Sequence, residues 1–176
     1  IAGQVTLDDA PAQTETDMAG TDLFWFRPFQ LVQWYPYGWD EGILVDLMGA
    51  KYVVPPATPA MSVFPGPGDP ASPLKAVDPV NGNAGLTFSD GLLSGGSITR
   101  SVSISPTNAV TKPTSNTDAS FTLALTAANG IVTGTVTHTD GTKPAFQGVI
   151  IQKGTQRGAY GYFMTKQPVV IDYTGE

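Results

Sequence analysis

A chain of 176 residues has the length of one domain and can bury a core, and its 20 glycines, 15 prolines and about thirty Ser and Thr against only 14% charged residues exclude an all-helical fold. With no cysteine and one histidine, it lacks the inventory for disulfides, thiol catalysis, Cys-based zinc sites or multi-histidine metal centres. A net charge of −6 with only nine Lys plus Arg leaves no footprint for a phosphate backbone, so nucleic acid is not an expected partner.

Compartment and span follow more weakly from the same composition. Absence of Cys fits an exported bacterial protein, secreted or held at the cell surface. No apolar run approaches about 18 residues, so no membrane-spanning helix is expected. Ile1, Ala2 and Gly3 do not begin a basic segment followed by an apolar stretch, and a chain that opens on Ile reads as a processed product or a piece of something longer.

In chain order, residues 1–54 are expected to form aromatic-rich strands, with candidates at Val5–Leu7, Leu23–Phe29, Ile43–Leu47 and Tyr52–Val54. Eight aromatics, Phe24, Trp25, Phe26, Phe29, Trp34, Tyr35, Tyr37 and Trp39, fall within sixteen residues. Because Trp25 alternates with Phe24 and Phe26, both faces of that strand carry rings, and one face must cover something beyond a single core. Core packing and an exposed patch for a partner both satisfy this pattern. Residues 55–84 hold eight prolines, which fix φ and withhold backbone donors, so a long surface loop is expected there.

Residues 85–173 read as an antiparallel meander: Leu86–Phe88, Ser97–Ile104, Phe121–Thr126, Ile131–Thr139, 145–153, 158–164 and Val169–Tyr173. Asn129-Gly130 and Asp140-Gly141 supply left-handed turn positions between them. Val132, Gly134, Val136 and His138 share one face of their strand, and Thr133, Thr135, Thr137 and Thr139 the other. Gly148 and Gly161 suggest bulges or close contact with a facing ring. Ten or so short strands in one domain imply an all-β antiparallel barrel or sandwich.

Four segments share an order and spacing with a known module: Trp25-Phe26-Arg27-Pro28; Tyr35-Pro36-Tyr37-Gly38-Trp39; Gly49-Ala50-Lys51-Tyr52 before Pro55-Pro56; and Phe146-Gln147-Gly148-Val149-Ile150-Ile151-Gln152-Lys153 with Gly161-Tyr162-Phe163 trailing. In these the chain resembles the second half of a β-rich repeat module found near the C-terminal ends of very large secreted or surface bacterial proteins of the verrucomicrobial type. Ala50 departs from that module's usual Ser, and Thr165–Ile171 replaces its closing Gly-rich strand. The resemblance implies location and architecture and carries no activity.

The chemistry-bearing residues are few. His138, on an alternating strand with no G-x-S-x-G elbow in the chain, reads as a surface or edge-strand histidine rather than a triad base. Asp40, Glu41 and Asp46 beside Trp34 and Trp39 would be the carboxylates of a glycosidase, though no spacing demands it. Asp8, Asp9, Asp17 and Asp22 leave room for calcium, without a D-x-D-x-D-G loop. The expectation is a non-catalytic structural or interaction module that needs no cofactor. It would associate with itself or with other domains of a large protein, through strand addition at an edge beside Ile1–Leu7 or by Val169–Tyr173, into a filament or sheath. The alternative is a carbohydrate-binding module in which Trp34, Tyr35, Tyr37 and Trp39 contact a polysaccharide by stacking.

Overall fold

Alternating side chains produce ten strands in the computed structural model, which describes residues 1–8, 16–30, 38–56, 63, 77–154 and 157–165. They are β1 (Thr6–Leu7), β2 (Met18–Arg27), β3 (Trp39–Gly49), β4 (Ala84–Ser89), β5 (Ser97–Ile104), β6 (Val110–Thr111), β7 (Thr122–Thr126), β8 (Ile131–Thr135), β9 (Ala145–Ile151) and β10 (Gly158–Phe163). Every pairing is antiparallel, in three sheets of order β1-β2-β3, β4-β5-β6 and β10-β9-β8-β7. None closes into a barrel, so the arrangement is sandwich-like. Among the described residues there is no helix long and apolar enough to cross a membrane.

The sandwich is built from the second and third of these sheets. Leu86 and Phe88 of β4 alternate with exposed Thr87 and Ser89, and Val102 and Ile104 of β5 share their face. Opposite them stand Val132, Phe146 and Ile150, with Phe121 entering β7 and Val136 leaving β8. Phe88 meets Phe146 edge-on across the gap, ring centres 5.1 Å apart, and Phe121 stacks on Phe146 at 6.4 Å. This offset and edge-on packing fills the core with large rings in the geometry their quadrupoles favour. The proline-rich segment contributes to it too: Val63 is fully buried there, its N–H donating to Asn108 Oδ1 at 2.7 Å.

Several elements differ from their sequence reading. β8 ends at Thr135, although Val136 N–H still donates to Pro144 O and His138 N–H to Thr142 O. Pro144 has no N–H to return, so the regular ladder stops. At Asn129-Gly130 only Gly130 is left-handed, with φ 70°, because the link is a four-residue turn closed by Gly130 N–H on Thr126 O rather than a two-residue one. Gly148 and Gly161 face each other in unbroken register, and a Cβ on either would lie within 2.4 Å of the neighbouring strand's backbone. Close strand approach, not a bulge or a ring, explains them. Tyr52–Val54 is not a strand: Val53 trades its N–H and C=O bonds with the Gln152 amide at 2.7 and 3.0 Å. The short β6 went unread between Pro106 and Pro113. The Val169–Tyr173 candidate lies outside the described residues.

Candidate functional site

The first sheet stands apart from the sandwich. Its two long strands, β2 and β3, form an arm of 10 and 11 residues, each reaching about 33 Å at about 3.3 Å per residue. Register fixes its faces. Leu23 lies opposite Val45, Phe24 opposite Leu44 and Trp25 opposite Ile43, so Leu23, Trp25, Ile43 and Val45 share one face and Phe24 and Leu44 the other. A bulge at Thr21 and Asp22 shifts the pairing by a residue; Asp22 takes a left-handed φ of 53° and its N–H donates to Asp46 Oδ1 at 3.1 Å. At the far end Asp40, Glu41 and Gly42 crowd opposite Phe26. Gly42, with φ 78°, leaves its missing side chain's space to the Phe24 ring, which a Cβ would strike at 2.1 Å.

The arm leaves part of its apolar surface in water. Phe24 is 44% exposed, Phe26 51% and Leu44 64%, with Trp25 and Phe29 also exposed. Of the arm's large apolar side chains only Leu23 is buried, beneath Gly3 and Gly20. Four of the cluster's five described members, Phe24, Trp25, Phe26 and Phe29, are therefore exposed. Trp39 is half-buried, its ring tilted 45° against Trp25 at 5.1 Å, so one of its faces is already covered. Trp34, Tyr35 and Tyr37 lie outside the described residues.

The N-terminal segment lines one margin of the arm. Ala2 N–H donates to Phe24 O at 2.9 Å and Phe24 N–H to Ala2 O at 2.8 Å, and Thr6 and Leu7 pair with Ala19 and Met18. In an antiparallel strand both main-chain groups of a residue point the same way. With those of Phe24 directed to Ala2, those of Leu44 opposite it turn away from β2, and along the regular stretch so do those of Asp46 and Met48. Among the described residues no strand pairs with this outer margin of β3.

A polar joint ties the arm to the sandwich. Asp17 accepts from Lys153 Nζ and from the Lys51 N–H, and these two bonds hold its carboxyl below the usual carboxylate range. The Tyr52 ring lies over Gly130, and its hydroxyl donates to Ala127 O at 2.6 Å. Beside the joint opens a cleft of about 700 Å³ lined by Leu7, Met18, Met48, Tyr52 and Val149.

The single histidine is not at the surface, contrary to expectation. His138 is 4% exposed, on the inward face that Val132 and Val136 already mark. Its Nε2 lies 2.9 Å from Gly91 O; a carbonyl only accepts, so that nitrogen carries the proton. Nδ1 faces Asp140, 2.8 Å from its carboxylate Oδ1 and 3.1 Å from its N–H. Both ring nitrogens thus pin turns. Asp140, bonded by the Thr142 hydroxyl and N–H and facing the imidazole, has its carboxyl lowered to about 2.

Asp118 is a second structural centre that sequence reading passed over. Its carboxylate accepts from Thr137 Oγ1 at 2.6 Å, Thr137 N at 2.9 Å, Ser120 N at 3.0 Å and Arg100 Nε at 3.1 Å. Burial opposes its ionisation, but these donors, led by the Thr137 hydroxyl, hold it well below the usual range. The acids considered for chemistry do not gather. Asp40 accepts the Glu41 N–H at the arm's far end, while Asp46 serves the Asp22 bulge. Of the calcium candidates, Asp9 lies outside the described residues and Asp17 is spent on Lys153 and Lys51. Among the described residues no three acidic or histidine side chains are grouped to hold a metal.

Comparison with protein-family models, with curated proteins and with solved structures gave no match.

Proposed function

We propose that the chain is a non-catalytic structural and interaction module of an exported or cell-surface protein, which works by associating with further copies or with other domains of a large parent chain. One observation carries this: an arm with apolar side chains open on its face and a long strand margin that no described strand pairs with. An apolar patch rimmed by polar residues marks an association surface in soluble proteins, and an unpaired margin is a template for another strand. Strand addition repeated from copy to copy builds a filament or sheath. The resemblance to repeat modules of large surface proteins, and a composition without Cys, support the location. His138 and Asp118, the buried groups best suited to chemistry, are engaged by main-chain and side-chain partners that tie turns and strands together.

The test is solution mass by light scattering across a range of concentration and salt. Mass should rise above that of a monomer, and should rise further with ionic strength, because copies of a chain with net charge −6 repel until screened. A monomer under all conditions refutes association between copies.

A further inference from the structure

We propose that the outer margin of β3 is the surface of association and that its occupant is β3 of a second copy, running antiparallel about a twofold axis at Leu44. This rests on the reading of the chain as an association module and names the residues that would carry it.

Among the described residues the margin is guarded only at its far end, where Asp40, Glu41 and the Gly42 irregularity lie. Natural edge strands are protected by Lys, Pro, a bulge or an outward charge. Trp39–Gly49 has no Lys or Pro, its irregularity is confined to the Gly42 end, and Asp46 is turned back to accept the Asp22 N–H. From Ile43 to Gly49 the strand is regular, and Leu44, Asp46 and Met48 direct their main-chain groups outward.

The margin also complements itself, in one register. An antiparallel twofold pairing centred on Leu44 sets Leu44 against Leu44 of the second copy, Ile43 against Val45 and Asp46 against Gly42, with Glu41 and Asp40 of the irregular end reaching Leu47 and Met48. The Phe24–Leu44 row then runs on into the Leu44–Phe24 row of the other copy, while Trp25 and Ile43 continue into Val45 and Leu23 on the opposite face. Neighbouring twofold registers are worse. Centred on Ile43, Asp46 faces Asp40; centred on Val45, Leu44 faces Asp46; centred on Asp46, the two Asp46 carboxylates face each other. Like charges directly opposite destabilise a pair, and apolar rows stabilise it.

Size sets the strength. A strand added beside β3 lies in the plane of the sheet, so it buries the main-chain margin and the flanks of Ile43, Leu44 and Val45 and leaves the faces of Phe24 and Phe26 on β2 open. That strip falls short of the roughly 800 Å² per partner of a standard interface, so pairing belongs to the weak, concentration-dependent class.

The experiment uses the absence of cysteine from the chain. Directly opposed residues in a hydrogen-bonded antiparallel pair have Cα atoms about 5.5 Å apart, within the span of a disulfide. Leu44→Cys should therefore cross-link to a covalent dimer under mild oxidation, increasingly with concentration, and far more than Val149→Cys, whose side chain is exposed on another sheet. In sedimentation, Leu44→Asp should weaken self-association about tenfold or more, by placing two carboxylates face to face at the axis. Leu44 is exposed, so circular dichroism should show this variant folded. Multimers that persist in Leu44→Asp, or equal cross-linking at positions 44 and 149, overturn this proposal while the association reading stands. A wild-type chain monomeric at every concentration overturns this proposal together with association between copies.

Discussion

Asp118→Asn isolates the strongest polar tie in the sandwich. The substitution keeps the shape of the side chain but removes its charge and turns one acceptor oxygen into a donor. Asp118 sits on the connection between β6 and β7, with a side chain only 4% exposed, and it joins Arg100 of β5 in one sheet to Thr137, beyond β8 in the other. Its Oδ2 takes Thr137 N–H and Arg100 Nε, and its Oδ1 takes the Thr137 hydroxyl and Ser120 N–H. An amide nitrogen in either place would point its hydrogens at two donors. Hydrogen bonds to a charged group contribute about 1.5–3 kcal/mol each, and breaking a buried pair by changing one partner costs about 3–5 kcal/mol. Arg100 keeps access to water, with its side chain 25% exposed, which brings the expected cost to about 3 kcal/mol. For a chain of this size that is a drop of roughly 6–12 °C in melting temperature.

The pH dependence adds a sharper check. A carboxyl whose folded pKa lies below its unfolded value stabilises the fold at all pH above the unfolded value, and that contribution is lost as pH falls toward the folded one. Asp118 is held below 3.8 by its four donors, so the gap between wild type and Asp118→Asn should be constant from about pH 5 to 8 and narrow below about pH 4. Urea unfolding at pH 7, 4 and 2.5 measures it. A gap under about 1 kcal/mol at pH 7, or one that does not shrink in acid, refutes this account of the tie.

Three further outcomes are expected. Phe146→Ala empties the space that Phe88 and Phe121 face at 5.1 and 6.4 Å, and should cost about 3–5 kcal/mol in urea unfolding; a loss below about 1 kcal/mol would mean that this core is not the main one. Gln152→Ala removes both bonds to the Val53 main chain, so hydrogen exchange at residues 51–54 should quicken about tenfold or more while β7 to β9 stay protected; uniform exchange would refute a local joint. Asp17, held low by Lys153 and the Lys51 N–H, contributes above its unfolded pKa and loses that contribution as pH falls below about 4, so tryptophan emission should show an acid transition that Asp17→Asn lacks.

What was legible in the chain was what one-sided burial writes into it. β5 runs from Ser97 to Ile104 as alternation predicts, and β7 keeps Leu123 and Leu125 inward with Thr122, Ala124 and Thr126 outward. A strand with one wet and one dry face has to spell its register in period two. His138 was in fact spelled out: it follows Val132 and Val136 on the inward face, and the same alternation that places them in the core places it there. A titratable side chain can sit inside here because its partners, Gly91 O and the Asp140 N–H, are main-chain groups that any sequence supplies. Asp118 was silent for a related reason. Its donors come from residues 2, 18 and 19 positions away, and no local pattern marks a carboxylate that gathers them.

The arm escaped periodicity for a different reason. Phe24, Trp25 and Phe26 are apolar in succession, and Ile43, Leu44 and Val45 answer them, so alternation carries no information on which face is dry. The bulge at Asp22 then reverses the sense of the pattern midway along β2, leaving Gly20 and Leu23 on one face at a spacing of three. A strand pair that leaves Phe24, Trp25, Phe26 and Leu44 exposed is costly for an isolated chain, since each exposed ring forgoes burial at about 25 cal/mol per Å². Folding of the sandwich does not need these rings: its own core closes around Phe88, Phe121 and Phe146 without them. Stability of the single chain therefore does not explain their presence.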